Sequence, residues 1–170
     1  MDFLELASSR FSSRQFNDKM ISEADLINIL SAGRVAPTAK NNQPQKIYVL
    51  QSEESLVKIN EVSPCIYGAK TVLMICADTN ICWTSNDGKY DSAEMDSSII
   101  CTHMMLQAKN QGIDSCWVLC FDRDKAVELF NLPDNIKPYC LLPLGYTDEK
   151  VEPSERHFSR KSLAETVVRL

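Results

Sequence analysis

Apolar residues follow two different spacings along the chain, and each change of spacing marks a new element. A repeat every three or four residues indicates a helix with one buried face, whereas a short continuous apolar run indicates a strand covered on both faces. The repeat predicts helices over residues 2–9, 53–61, 92–111, 122–130 and 162–168, and another that begins at Ser22 and stops before Pro37. The runs predict strands over residues 46–50, 71–77, 114–121 and 139–146, with a polar loop at 79–90.

Capping and breaking residues support these boundaries. Ser22 and Asp122 are good N-cap residues, Pro37 prevents the second helix from continuing, and Gly112 is well placed to end the longest helix. The first helix is predicted to turn three apolar side chains inward, namely Phe3, Leu4 and Leu6. The longest helix, 92–111, is apolar on almost every side, so we expect it in the middle of the protein or in a subunit interface.

The interleaved order of helices and short strands predicts an α/β or α+β fold in which helices cover a small sheet. The chain has 170 residues and contains no repeat or linker, so residues 1–170 are predicted to form one domain. The net charge of -5 argues against nucleic acid and anionic lipid as partners. No apolar run is long enough to cross a bilayer and the N-terminus is acidic, so we expect a cytoplasmic protein.

The usual signals of catalysis and metal binding are missing from the sequence. There is no glycine-rich phosphate loop and no nucleophile elbow, and the chain has two histidines. Seven cysteines are scattered through predicted elements and are expected to be reduced thiols. Cys101 with His103, and Cys116 with Cys120, lack a second pair at zinc-finger spacing, so no metal site is predicted.

Two cationic clusters stand at opposite ends of the chain. Arg10, Ser12 and Arg14 occupy alternate positions, and in an extended segment alternate side chains point the same way. Two guanidinium groups and a hydroxyl on one side form a suitable site for a phosphate. The second cluster lies in the tail and consists of Arg156, His157, Arg160 and Lys161. The alternative interpretation for both clusters is that they are solvated surface charges.

A polar loop precedes the first predicted strand. Its amides and hydroxyl suit the imide edge of a heterocycle, although an ordinary polar turn has the same composition. The candidate binding residues of this loop are Pro37, Thr38, Ala39, Asn41 and Gln43.

Taken together, these motifs resemble the nitroreductase family of FMN-dependent flavoproteins from about Phe3 to Leu170. Arg10, Ser12 and Arg14 match an Arg-x-Ser-x-(Arg/Lys) motif, and the segment from Pro37 to Pro44 matches Pro-(Ser/Thr)-x-x-Asn-x-Gln-Pro. The later matches are a Ser-Cys-Trp segment at 112–117, a Leu-Gly-Tyr strand end at 144–146 and an Arg-Lys-x-Leu-x-Glu tail at 160–165.

The resemblance implies a three-layer α+β fold with a small mixed, mainly antiparallel sheet flanked by helices. It also implies an obligate homodimer with a swapped C-terminal tail. Arg10, Ser12 and Arg160 would hold the FMN phosphate with support from Lys161, and Arg14 would lie near the flavin N1 and O2 edge. The loop at 37–43 would come from the partner subunit.

The resemblance further implies that Val118, Leu119 and Cys120 pass the flavin N5 and O4 and offer backbone amides. Four positions depart from the family pattern: Phe158 replaces a cation, Gln45 replaces an aromatic residue, and Leu119-Cys120 replaces a Glu-Gly pair. For Cys120, which is expected in a buried strand, we predict that the amide and not the sulfur takes part.

The implied activity is a ping-pong transfer of electrons from NADH or NADPH through FMN to a small acceptor such as a nitroaromatic or a quinone. No side chain is predicted to act as a catalytic residue, because the flavin carries the chemistry. Trp83 and Tyr90, in the segment 79–90, are expected to shape the acceptor pocket. Two alternatives remain open: a protein that stores or senses FMN with little turnover, and a flavin-free interaction domain.

Overall fold

The computed structural model describes residues 2–148 and 151–170. Its helices are α1 (Phe3–Ser9), α2 (Glu23–Arg34), α3 (Glu53–Val62), α4 (Ala93–Asn110), α5 (Arg123–Leu129), α6 (Glu155–Phe158) and α7 (Leu163–Thr166), with a 3-10 turn at Ala39–Asn41. Its strands are β1 (Gln45–Leu50), β2 (Thr71–Asp78), β3 (Asp114–Ser115) and β4 (Ile136–Gly145). No described helix is both long and apolar enough to span a membrane.

The four strands form one sheet in the order β1-β2-β4-β3. Every ladder between them is antiparallel, and one parallel bridge joins Ser12 to Ser115 at the β3 edge. The predicted small, mainly antiparallel sheet flanked by helices is therefore confirmed.

Helices cover both faces of this sheet and create two apolar layers. Apolar residues of α2 and α4 pack on one face with Leu73, Ile75 and Leu142, while those of α3 and α5 pack on the other with Met74 and Leu141. β2 is buried from Thr71 to Ala77, as its continuous apolar run predicts. The result is a three-layer arrangement with β2 and β4 at its centre.

The helix boundaries follow from local hydrogen bonds. The Ser22 hydroxyl accepts the amide of Asp25 at 3.1 Å, and the Asp122 carboxylate accepts that of Lys125 at 3.0 Å. Gly112, with φ +73°, takes the left-handed conformation that follows the end of α4. All three predicted boundary signals are therefore confirmed.

Two predictions about individual elements are wrong. The strand predicted at 114–121 pairs only at Asp114–Ser115 and again at a bridge between Val118 and Leu141. Pro143 lies opposite Cys116, between the two paired positions, and its carbonyl accepts the Cys116 amide at 3.2 Å. The ladder breaks there because proline has no N–H to donate in return. Phe3 and Leu4 are 65% and 74% exposed rather than inward.

The segment 79–90 joins β2 to α4 as a loop of turns and bends, as predicted. A bridge between Thr84 and Asp91 orders part of it as a hairpin, closed by Asp87 and Gly88. α4 packs on the sheet with one side, while Met95 and Ile99 line an open groove on its outer side.

Candidate functional site

The segment from Arg10 to Arg14 is extended along the β3 edge of the sheet. The amide of Ser13 donates to the Ser115 carbonyl at 3.0 Å, and the side chain of Ser13 is fully buried. Because side chains alternate in an extended segment, Ser12 and Arg14 are directed away from that buried side. The predicted grouping of Arg10, Ser12 and Arg14 on one side is therefore what the structure has.

A cavity of about 200 Å³ joins this segment to the C-terminal tail. We call it the arginine cavity, and its lining residues are Arg10, Phe11, Ser12, Arg14, Ser154, Arg156, His157 and Arg160. The lining contains four guanidinium groups and no carboxylate. Within residues 2–148 and 151–170, none of these four arginines forms an ion pair. Their charge is therefore available to an anion.

The charged side chains that line the arginine cavity are arginines, which repel one another. Burial lowers the pKa of Arg10, and the positive charge of Arg160 lowers it further. Burial also raises the pKa of the neighbouring Cys116 thiol, although Arg14 and a hydrogen bond with Ser12 partly offset this. The thiol is therefore neutral at physiological pH, and it brings no compensating negative charge to the cavity.

The tail reaches the cavity through α6 and the residues after it. The rings of His157 and Phe11 meet edge to face with centroids 6.3 Å apart. The Arg160 guanidinium donates to the carbonyl of Ser159 at 2.8 Å. Arg156 and His157, predicted only as members of the tail cluster, are also part of this lining. Lys161 is exposed and lies outside the lining.

A second group of candidate residues follows the break in β3. The amide and carbonyl of Val118 are both used by Leu141, at 2.9 and 3.0 Å. In the part of the chain that the structure describes, the amides of Leu119 and Cys120 donate to no protein acceptor. Cys120 is exposed and belongs to no strand, which corrects the expectation of a buried strand cysteine. Two consecutive backbone donors are thus available to a ligand, whereas Val118 offers none.

The segment from Ser63 to Tyr67 lies beside these free amides and was not predicted as part of the site. The Ser63 hydroxyl donates to the Cys120 carbonyl at 2.7 Å and accepts the Cys65 amide at 3.1 Å. A hydrogen bond with Cys65 raises the pKa of Tyr67, against a small opposing effect of Arg14. Tyr67 also has φ +56°, a left-handed value that is uncommon for an aromatic residue. This backbone conformation marks the segment in the structure, but the sequence does not predict it.

The loop from Thr38 to Gln43 is fixed in an unusual backbone conformation. Lys40, Asn41 and Gln43 have φ values of 52°, 57° and 52°. Each left-handed residue of this kind costs roughly 1–3 kcal/mol, so surrounding contacts must hold it. The Thr38 hydroxyl accepts the Gln43 amide at 3.0 Å. The side chains of Asn41 and Gln43 are exposed and available to a ligand from outside the subunit.

This loop and the arginine cavity do not meet within one chain. Ser12 pairs with Ser115, which lies at the end of the sheet that contains Thr71 of β2. The loop leads into Gln45, which pairs with Ala77 at the other end of β2. Six residues of strand separate the two ends, or about 20 Å, and β1 and β3 are on opposite edges of the sheet. One ligand can contact both regions only if a second copy supplies one of them.

A larger cavity of about 440 Å³ lies between α5 and β4. Its lining includes the carboxylates Asp124 and Glu128 as well as Arg123 and Lys137. Arg123 already pairs with Glu94 at 3.7 Å and donates to the Tyr139 carbonyl at 3.3 Å. The mixed charge makes this cavity less suited to a phosphate than the smaller arginine cavity.

Comparison with known proteins agrees with these observations. The model of the nitroreductase family matches residues 7–66 and 63–146. The chain belongs to the nitroreductase family. A protein of Archaeoglobus fulgidus, provisionally named an NADH dehydrogenase/NAD(P)H nitroreductase, is 31% identical over 86% of this chain and 87% of its own. The family membership inferred from the sequence motifs is therefore confirmed.

Solved structures of the nitroreductase family share the fold over the whole chain. The crystal structure of a family member from Clostridium difficile 630 has 37% identity and a TM-score of 0.93, covering 99% of this chain and 98% of that one. A protein of Exiguobacterium sibiricum, provisionally described as a nitroreductase and solved in complex with FMN, has 20% identity and a TM-score of 0.87. It covers 100% of this chain and 98% of its own, and the likeness supports the fold.

Proposed function

We propose that this nitroreductase-family protein is an FMN-dependent oxidoreductase that passes electrons from NADH or NADPH to a small acceptor. The observation that carries the proposal is the arginine cavity, in which four guanidinium groups and the Ser12 hydroxyl face one small space. A dianionic phosphate monoester fits that set of donors, because bidentate and charge-assisted hydrogen bonds are strongest there. The relatives whose names include NAD(P)H nitroreductase support the same reading.

In this proposal the FMN phosphate is held by Arg10, Ser12 and Arg160. Arg156, which lines the same cavity, adds a third positive group, and Lys161 gives weaker support from outside the lining. Arg14 extends the positive charge from the phosphate toward the polar edge of the flavin ring. Its guanidinium approaches the Ser12 carbonyl at 3.5 Å and has no acidic partner among the described residues, so its charge remains available there.

The bound flavin supplies the capacity to take and give a hydride, and the chain supplies binding, orientation and electrostatics. The free amides of Leu119 and Cys120 would hold the N5 and O4 edge, and the bond from Ser63 to the Cys120 carbonyl keeps this segment in place. We propose ping-pong kinetics, in which the nicotinamide leaves before the acceptor binds. No side chain of this arrangement has to act as an acid or a base.

In this proposal the loop at 37–43 is contributed to each site by the partner subunit of a homodimer. Pro37, Thr38, Ala39, Asn41 and Gln43 form the loop that lies at the far end of the sheet from the arginine cavity. A two-fold dimer brings the loop of one copy to the cavity of the other, and it does so twice by symmetry. Exposed apolar residues at Phe3, Leu4, Met95, Leu163 and Val168 suit such an interface and a tail exchanged between copies.

The test begins with the purified protein and added FMN. We expect a yellow protein that retains one FMN per chain through dialysis, and whose visible absorbance is lost promptly on adding NADH or NADPH without oxygen. Addition of a nitroaromatic or a quinone should restore that absorbance. A yellow protein that does not bleach would indicate a storage or sensor role, and a protein that ignores FMN would contradict the proposal.

A further inference from the structure

The hairpin at Trp83–Asp91, which we call the aromatic hairpin, presents two rings beside each other. The centroids of Trp83 and Tyr90 are 5.7 Å apart, with the ring planes tilted by 58°. The amide of Ser85 donates to the Tyr90 carbonyl at 2.9 Å, and Asp87 accepts the Ser85 hydroxyl at 2.7 Å. Tyr90 is nevertheless 63% exposed. An ordered hairpin that exposes an aromatic ring suits a planar apolar ligand.

A buried carboxylate connects this hairpin to the Thr38–Gln43 loop. Asp96, in the first turn of α4, is 2% exposed. One of its oxygens accepts the Ala39 amide at 2.9 Å, and the other accepts the Ser92 hydroxyl at 2.7 Å. The Ser92 oxygen accepts the Trp83 amide at 3.1 Å, and the Ser92 amide donates to the Trp83 carbonyl at 2.8 Å. A continuous path of hydrogen bonds therefore runs from Ala39 to Trp83.

The charge of Asp96 is held by these bonds and not by a cation. Across the two described ranges, no lysine, arginine or histidine pairs with it. Its stabilisation comes from two hydrogen bonds and from the positive end of α4. A buried carboxylate fixes its donors firmly, because losing either one leaves a charged group unsatisfied. A second hydrogen bond connects the loop to the segment just before the hairpin, because the side-chain amide of Asn42 donates to the Ile81 carbonyl at 2.9 Å.

We propose that the aromatic hairpin is the acceptor-binding element of the flavin site, and that Asp96 is the positioning residue that holds the hairpin and the Thr38–Gln43 loop as one unit. The inference rests on the proposed function, in which this loop reaches the FMN of the other copy. Because Asp96 joins the hairpin to that loop, Trp83 and Tyr90 would reach the same site as the loop and would contact the acceptor there. A planar aromatic acceptor, compared with an inorganic acceptor that cannot stack on the two rings, is the probe that tests this element.

The first test compares two acceptors in the FMN-loaded protein. For Trp83→Ala and Tyr90→Ala, the ratio of kcat/KM for 2-methyl-1,4-naphthoquinone to that for ferricyanide should fall at least about tenfold, mainly through KM. Tyr90→Phe keeps the ring and should restore the ratio to within about twofold of the parent. An unchanged ratio in both alanine variants would overturn the role of the hairpin.

The second test separates the two parts of the hydrogen-bond path, which run from Asp96 to Ala39 and from Asp96 through Ser92 to Trp83. Ser92→Ala removes the hydroxyl that joins Asp96 to the Trp83 amide, while the backbone bond from Ser92 to the Trp83 carbonyl and the bond from Ala39 to Asp96 remain. It should therefore lower the acceptor ratio about fivefold and leave the Kd for FMN within about twofold. Asp96→Asn disturbs both parts of the path and should change both the acceptor ratio and the Kd for FMN. Ser92→Thr retains the hydroxyl and should behave like the parent.

The matched control is Asp25→Asn, which alters a carboxylate bonded to Gln111 at 2.7 Å, away from both regions. Equal effects of Asp25→Asn and Asp96→Asn, or an Asp96→Asn protein that matches the parent in both quantities, would refute the positioning role. If the parent binds FMN and is bleached by NADH while all hairpin variants keep the parental ratio, this inference fails and the proposed function stands. If the parent binds no FMN, both fail.

Discussion

The arginine cavity and the Thr38–Gln43 loop are built in opposite ways. The cavity gathers side chains from both ends of the chain, and its four arginines have no ion pair within residues 2–148 and 151–170. The loop is continuous in sequence and is held by hydrogen bonds, including the bond from Ala39 to the buried carboxylate of Asp96. In the proposed site, the cavity would therefore bind through charge and the loop through shape. They lie at opposite ends of the sheet, so neither forms the whole site alone.

This difference predicts which substitutions affect affinity most. Charge-assisted hydrogen bonds contribute about 1.5–3 kcal/mol each, so Arg10→Ala combined with Arg160→Ala should weaken FMN binding roughly a hundredfold or more. Isothermal titration of apoprotein with FMN measures the change. Riboflavin, which lacks the phosphate, should bind the parent poorly and lose little further affinity in the double variant.

Arg34→Ala is the control for this prediction. Arg34 is an exposed cation of α2 outside the cavity lining, and its loss should leave the FMN Kd within about twofold. If FMN and riboflavin lost affinity equally in the double variant, the cavity would not be a phosphate site.

The next prediction concerns the separation of the two regions. Arg10→Ala disables the cavity, and Asn41→Ala alters the loop; each homodimer should bind FMN weakly. Mixing the two proteins under conditions that exchange subunits forms heterodimers with one intact site, so about a quarter of all sites should recover. Fluorescence quenching of FMN counts those sites. No recovery despite heterodimer formation, shown by mass spectrometry of the native complex, would place the loop and the cavity in the same subunit's site.

Local patterns in the sequence predict much of the fold. Asp122 and Gly112 mark helix ends through bonds within a few residues, and the apolar run at 71–77 identifies the central strand by composition alone. The break after β3 depends instead on Pro143, nearly 30 residues further along the chain. Nothing near 114–121 encodes it, so a single strand was the natural but wrong expectation.

The candidate site likewise combines local patterns, which the sequence predicts, with contacts between distant residues, which it does not. The alternation of Arg10, Ser12 and Arg14 is a local pattern, and the structure confirms that the three line one cavity. The meeting of that segment with Arg156 and Arg160 requires the tail to fold back, which spacing does not reveal. The path through Asp96 is equally hidden, because a single carboxylate in a helix's first turn resembles any N-terminal acid until Ala39 and Ser92 are placed around it.

The two regions should also respond differently to salt. Exposed charges are screened within a Debye length of about 8 Å at physiological ionic strength and about 3 Å at 1 M. Raising NaCl from 0.05 to about 0.5 M should therefore weaken FMN binding severalfold through the arginine cavity. Riboflavin binding, which depends on the loop and the free amides, should change less than about twofold. Parallel loss for both ligands would mean that the phosphate contacts contribute little.

The smallest expected effect concerns Cys120, whose thiol and amide can be separated. The thiol is exposed, and its amide and that of Leu119 have no protein acceptor within the described chain. The Ser63 bond to the Cys120 carbonyl fixes the peptide and thereby directs the neighbouring amides. Because fixed backbone donors are a common means of stabilising charge, we expect the amide to matter and the sulfur not to.

Cys120→Ala keeps the amide, so turnover and the anaerobic rate of bleaching by NADH should stay within about threefold of the parent, a barrier change below about 1 kcal/mol. Cys120→Pro removes the N–H at the same position and should lower both rates at least about tenfold. Ser63→Ala, which releases the carbonyl, should have an intermediate effect. FMN occupancy is measured in each variant so that rates refer to loaded protein. A hundredfold loss in Cys120→Ala at full occupancy would instead give the thiol a chemical role and refute the assignment of the amide.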